Sequence, residues 1–181
     1  MVYLFLAKGF EETEAITVVD ILRRAEISIE TVSITDQLEV KGSHDVKIIA
    51  DTTIDNIDEN SLDMIVLPGG LPGSFNLKES KKLAEIIKSV YEKDKYLAAI
   101  CAAPLVFGEL GLLNKKIATC YPGFEKYLSG ASTKTDNCVV DRNIITAKGP
   151  GAAAEFALKI VEILKDKEVA QQLKESMLWK F

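Results

Sequence analysis

Histidine is almost missing from this chain: among 181 residues there is one, His44, and none follows it. An enzyme that activates a thiol with an imidazole needs the ring beside the sulfur, so a Cys–His dyad would depend on that one upstream residue. Cysteine is scarce too. Cys101, Cys120 and Cys138 are odd in number and lack the short spacing of metal ligands, which argues for reduced thiols, against a disulfide framework, and lends zinc no support. No metal or cofactor is expected. There is no basic excess either: 22 Lys and Arg stand against 27 Asp and Glu, for a net charge of −5. With the cations scattered among acids, no stripe is available to neutralise phosphates, so neither nucleic acid nor an anionic membrane is an expected partner. No window approaches the roughly 20 apolar residues of a membrane-spanning helix. The first residues, MVYLFLAKGFEETEA, have no basic leader and turn acidic by position 11. A cytoplasmic protein is expected. Linkers, repeats and low-complexity tracts are also lacking, and the length suits a single domain over residues 1–181.

What is present is an alternation of strands and helices. Residues 2–7 form a short apolar run before Gly9, and 13–25 carry Val18, Ile21, Leu22 and Ala25 at helical spacing. Strands are predicted at 27–34, at 46–51 and at 63–67, the last leading into a glycine turn. Residues 52–62 read as a polar, acidic connection. In 79–95, Leu83, Ile86, Ile87, Val90 and Tyr91 line one stripe of a helix. A strand at 96–100 precedes a helix through PLVFGEL. A strand at 116–120, a hairpin over 138–149 turning at Arg142-Asn143, and helices at 155–166 and 168–178 complete the pattern. Such alternation predicts an α/β fold with a mostly parallel sheet and helices on both faces.

In such folds ligands gather at the carboxyl ends of strands. Three of these ends carry unusual residues: KGFEETE, PGGLPGS and CAAP. A strand that turns at once into a helix strains the residue at the turn and tolerates only small neighbours, as Ala98, Ala99, Ala102 and Ala103 are. There Cys101 would feel a helix N-terminus and free N–H groups, both of which favour thiolate. A small buried cysteine filling a core gap fits the same local sequence. Glu11, Glu12 and Glu14 suit the first turn of a helix as caps, and equally one of them could face the thiol as a proton donor or acceptor. The Gly69-Gly70 amides are either a plain turn or an oxyanion site. Cys120 and Cys138 read as structural thiols, although Cys120, beside Tyr121, stands where it could border the cleft. GPG at 149–151 lacks the pattern of a phosphate loop, so no nucleotide is expected.

Taken together, LAKGFEETEA (6–15), VDILRRA (19–25), VLPGG (66–70), AAICAAP (98–104) and KGPGAAAEFAL (148–158) resemble the ThiJ/PfpI superfamily, in the branch of Parkinson disease protein seven and its bacterial relatives. The similarity runs from Leu4 to about Val169. The resemblance implies a flavodoxin-like three-layer sandwich that forms a homodimer. It implies a reactive cysteine at Cys101, a conjugate carboxylate at Glu14, the amides of Gly70 and Ala102 beside the sulfur, and Glu11 as a second acidic position near the dimer contact. The sequence also departs from the family. Where protease-like and amidotransferase-like members carry histidine, Ala102 follows the cysteine here, and Tyr121 stands before the proline of TCYPG. Peptide hydrolysis is therefore not expected. His44 occupies a place where relatives carry a basic residue near the subunit interface; it either approaches the partner's site or is a solvated loop residue.

A Cys–Glu pair can add to an aldehyde and shift a proton within the adduct without a cofactor. The reading is a glyoxalase or deglycase acting on methylglyoxal or its early protein adducts, with the Glu14 pKa raised by burial. The alternative is a redox-sensing, stress-protective chaperone dimer whose Cys101 is oxidised to sulfinic acid. Thiazole phosphate biosynthesis, another label in the superfamily, finds no support in these residues.

Overall fold

The computed structural model describes all 181 residues. Its central sheet has seven strands: β1 (Val2–Leu6), β2 (Ile29–Ser33), β5 (Thr52–Thr53), β6 (Met64–Leu67), β7 (Tyr96–Ile100), β10 (Cys138–Asp141) and β11 (Ile144–Ala147). They lie in the order β10-β11-β7-β6-β1-β2-β5, and every pair is parallel except β10 with β11. All residues of β1 and β6 are buried, because helices cover both faces and leave no solvated side to alternate toward. The helices form two groups. Helices α1 (Glu12–Arg24), α5 (Ala153–Leu164) and α6 (Lys167–Ser176) pack together, whereas α2 (Gly73–Glu79), α3 (Lys81–Glu92) and α4 (Pro104–Glu109) form the other layer. Parallel βαβ crossovers require this three-layer arrangement.

The strand order reverses between β1 and β6. The chain moves outward from β1 to β2 and β5, then returns to place β6 against the other side of β1. Connections diverge above that point, which brings the loops after β1, β6 and β7 together at the strand ends.

Several predicted boundaries move. The strand expected at 46–51 is only β4 (Lys47–Ile49), which pairs antiparallel with β3 (Glu39–Lys41) in a hairpin detached from the central sheet. Its Ile49 is exposed, so no buried face drew it into the sheet; the sheet edge is instead Thr52–Thr53, inside the stretch read as a loop. The helix expected over 79–95 is broken at Ser80, which ends α2 and caps α3 by accepting the Leu83 N–H at 3.3 Å. It stops at Glu92 because Asp94 takes a left-handed φ of 53°. The strand at 116–120 shortens to β8 (Ile117–Ala118), paired with β9 (Ser132–Thr133) in a second small ribbon. The hairpin of β10 and β11 turns at Arg142-Asn143 as predicted, with Arg142 at φ 56°.

Candidate active site

The site is assembled from the ends of β1, β6, β7 and β11. After β1 the Glu11 N–H donates to the Gly69 carbonyl at 2.9 Å, tying the first loop to the end of β6. The Glu11 carboxylate then accepts the Glu14 N–H at 2.7 Å and caps α1. That cap fixes the first turn so that Glu14 points inward. Of the first-turn acids, Glu11 is therefore the cap and Glu14 the buried carboxyl group. Glu12 instead binds the β3–β4 turn. It accepts from the His44 N–H at 2.6 Å and lies 2.9 Å from His44 Nδ1, which pulls its own pKa down to about 2 against a burial penalty that acts the other way. His44 is thus an exposed ring anchored to Glu12 of its own chain, with its pKa raised by that carboxylate.

Glu14 is fully buried. One carboxyl oxygen, Oε2, accepts the Gly69 N–H at 2.7 Å; the other, Oε1, is buried with no hydrogen-bond partner. Burial pushes its pKa up to about 8, helped by the charge of Glu11 and opposed by the Gly69 N–H and Cys101. A carboxyl group so raised favours its protonated form toward neutral pH, and Oε1, without an acceptor of its own, is free to carry the proton.

Cys101 sits directly after β7 with φ 64°, a left-handed conformation that is costly, by roughly 1–2 kcal/mol, for any residue with a Cβ. Its N–H donates to the Ala147 carbonyl at 2.9 Å and its carbonyl accepts the Tyr121 N–H at 2.8 Å, so both neighbouring segments hold the strained turn in place. The sulfur faces Glu14 and the amides of Gly70 and Ala102. Neither amide donates to another backbone carbonyl. Gly69 lets these groups meet: a methyl there would stand 2.5 Å from Cys101 Cβ and 2.8 Å from Glu14 Oε2. Gly70, at φ 88°, turns the chain so that its N–H reaches the sulfur.

One sequence-based expectation is corrected here. The thiol was expected to be acidified by a helix N-terminus, but α4 starts only at Pro104 and runs six residues. Burial, then the Glu14 charge, pushes Cys101 up to about 12, against the opposing pull of the two amides. The contribution from Glu14 requires an ionised carboxylate. When Glu14 keeps its proton, the repulsion disappears and the carboxyl group becomes a third donor to sulfur, so the two groups titrate as one unit.

Tyr121 is half exposed and lies over Gly149, whose added Cβ would be 3.2 Å from the ring. With Lys148, Pro150 and Gly151 it lines a cavity of about 290 Å³ at the end of β11, the strand that holds the Cys101 N–H. Cys120 is buried and Cys138 partly so. The Gly69 amide, which in the sequence reads as a turn or an oxyanion donor, instead donates to Glu14, while the role of Ala147 is not visible there, because a carbonyl acceptor leaves no side-chain signal.

The sequence profile described as the DJ-1/PfpI family matches residues 1–163. A protein of Arabidopsis thaliana named Protein DJ-1 homolog B is 41% identical over 174 residues, which cover 96% of this chain but 40% of that protein. The chain therefore spans well under half the length of that relative. Caenorhabditis elegans glutathione-independent glyoxalase DJR-1.2 is 32% identical over 164 residues, covering 90% of this chain and 87% of the relative. Among solved structures, Drosophila melanogaster DJ-1beta superposes with a TM-score of 0.95 at 38% identity, covering 99% of this chain and 98% of the other. The three-layer sheet described above is thus the flavodoxin-like sandwich of these relatives. On the extent of the profile match and of the shared fold, the chain belongs to the DJ-1/PfpI family.

Proposed function

We propose that this protein is a cofactor-free, cysteine-dependent enzyme acting on reactive dicarbonyls, with methylglyoxal or its early protein adducts as substrate and a hydroxy acid as product. The observation that carries the reading is the fully buried Glu14 carboxyl group, its pKa raised by burial, beside a sulfur that also faces the amides of Gly70 and Ala102. A glyoxalase among the relatives supports it.

The chemistry follows from that geometry. The pair loses its first proton from Glu14, and the carboxylate then takes the thiol proton as the sulfur attacks, leaving a thiolate with Glu14 as acid. The thiolate attacks the aldehyde carbon, a C–S bond forms, and Glu14 protonates the new alkoxide to give a hemithioacetal. Glu14, now ionised, takes the proton from the former aldehyde carbon and returns it to the adjacent ketone carbon through an enediol. One carbon is oxidised to a thioester while its neighbour is reduced to an alcohol, so no external electron carrier enters. Water then cleaves the thioester, releasing lactate and the thiol. The amides of Gly70 and Ala102 are placed to hold the developing negative charge. The larger body of a protein adduct would extend past Tyr121 into the cavity at Lys148 and Gly149.

The working unit in this reading is a homodimer. Support comes from Val46 and Ile49, exposed on the hairpin that Glu12 anchors, and from exposed Ile16 one turn along α1 from Glu12. Incubation with methylglyoxal and measurement of lactate tests the activity. Lactate formation by the wild type, abolished in Cys101→Ser and in Glu14→Gln, is expected. Equal lactate from all three refutes the reading, and a peroxide-dependent gain in holding unfolded clients without any lactate would point to a redox chaperone instead.

A further inference from the structure

Three cysteines remain reduced in this fold, and only one of the other two adjoins a residue bonded to the nucleophile's own backbone. The peptide N–H that follows Cys120 donates to the Cys101 carbonyl at 2.8 Å. The bonded residue is Tyr121, and backbones joined in this way run about 5 Å apart, so Cys120, one peptide earlier on the same segment, passes close beside Cys101. Disulfides span Cα separations of roughly 4.4–6.8 Å. The Cys120 segment is anchored on its other side as well, where the Thr119 N–H donates to Thr146 Oγ1 at 3.0 Å. Cys138 is elsewhere. It faces Ala147 across β10 and β11, and Ala147 in turn faces Ile100 of β7, which places it two strand spacings away, about 10 Å.

We propose that Cys120 is the resolving thiol of Cys101. A hydroperoxide is the oxidant. The Cys101 sulfur attacks one peroxide oxygen, the O–O bond breaks, an alcohol or water leaves, and the sulfur, having lost two electrons, becomes a sulfenic acid. Cys120 then attacks that sulfur. The S–S bond forms, the S–O bond breaks, and the hydroxyl departs as water with the Cys120 proton. The linkage withdraws Cys101 from further oxidation to sulfinic acid, which thiols do not reverse, and parks it in a form that they do. The site thereby becomes a reversible switch on the proposed activity. This inference rests on Cys101 being the reactive thiol of the proposed function.

The test oxidises the fully reduced protein with one equivalent of hydrogen peroxide, traps remaining thiols by alkylation, and maps the products by mass spectrometry. Expected is the loss of two hydrogens, a peptide joining Cys101 to Cys120, and recovery of the free Cys101 thiol with dithiothreitol. In Cys120→Ser, one equivalent puts a single oxygen on Cys101 and a second equivalent adds another that dithiothreitol does not remove, whereas Cys138→Ser behaves as the wild type. Gain of oxygen on Cys101 with Cys120 still alkylatable overturns the proposal, as does linkage to Cys138 or to a second copy, or a Cys101 untouched by peroxide. Lactate from the reduced protein without the crosslink would leave the enzyme reading standing alone; the crosslink without lactate would leave the switch.

Discussion

Replacing Glu14 by Gln removes the titratable proton and keeps the shape of the side chain. The side chain keeps its size, and its carbonyl oxygen still accepts the Gly69 N–H now received at 2.7 Å. In the wild type, burial raises the Glu14 pKa from 4.5 to about 8. The folded state therefore holds this proton more tightly than the unfolded chain does. Its contribution to stability is complete below pH 4.5 and drains away as pH climbs toward 8, since ionising the buried group works against folding. Integrated between about pH 5 and pH 7.5, this amounts to about 3 kcal/mol. Urea unfolding of wild type and Glu14→Gln at both pH values measures it. The wild type loses about 3 kcal/mol more than the variant between the two conditions, because every other titrating group is common to both. Curves that stay parallel within about 1 kcal/mol would show that Glu14 is not held neutral, and the proton donor of the mechanism would be lost with it.

Three further outcomes follow from the same geometry. Below pH 8, kcat/KM for lactate formation rises about tenfold per pH unit and then levels off, as the Cys101–Glu14 pair sheds its first proton; a profile flat from pH 5 to 9 contradicts this. Gly69→Ala forces a methyl to within 2.5 Å of Cys101 Cβ and 2.8 Å of Glu14 Oε2, so lactate formation collapses and unfolding free energy drops by roughly 1–3 kcal/mol in a urea titration. Glu11→Ala removes the cap that accepts the Glu14 N–H and lowers stability by about 1 kcal/mol, with a larger fractional loss of turnover, because the freed first turn no longer aims Glu14.

Much of this architecture was legible in the chain. The all-apolar runs at Val2–Leu6 and Met64–Leu67 announced strands covered on both faces, and the stripe from Leu83 to Val90 announced α3. The β3–β4 hairpin was not legible, because its residues are largely exposed and show no buried face from which a period could be read. Helix α2 was hidden by Pro72 and Gly73, residues that usually mark turns. At the site, the small residues around Cys101 gave away the strained turn, and the family resemblance singled out Glu14 among three neighbouring acids. The sequence could not supply the balance of fields at the sulfur. A dipole from a helix that follows the turn is visible in a pattern; the desolvation and the Glu14 charge that outweigh it depend on three-dimensional packing.

The coupling of Cys101 to Glu14 underlies every step above, and thiolate absorbance measures it directly. The Cys101 signal, isolated by subtracting the spectrum of Cys101→Ala, is titrated against pH in the wild type and in Glu14→Gln. With the carboxylate charge gone, the Cys101 titration moves to lower pH by at least about one unit. A Cys101 that titrates at the same pH in both proteins would contradict the account.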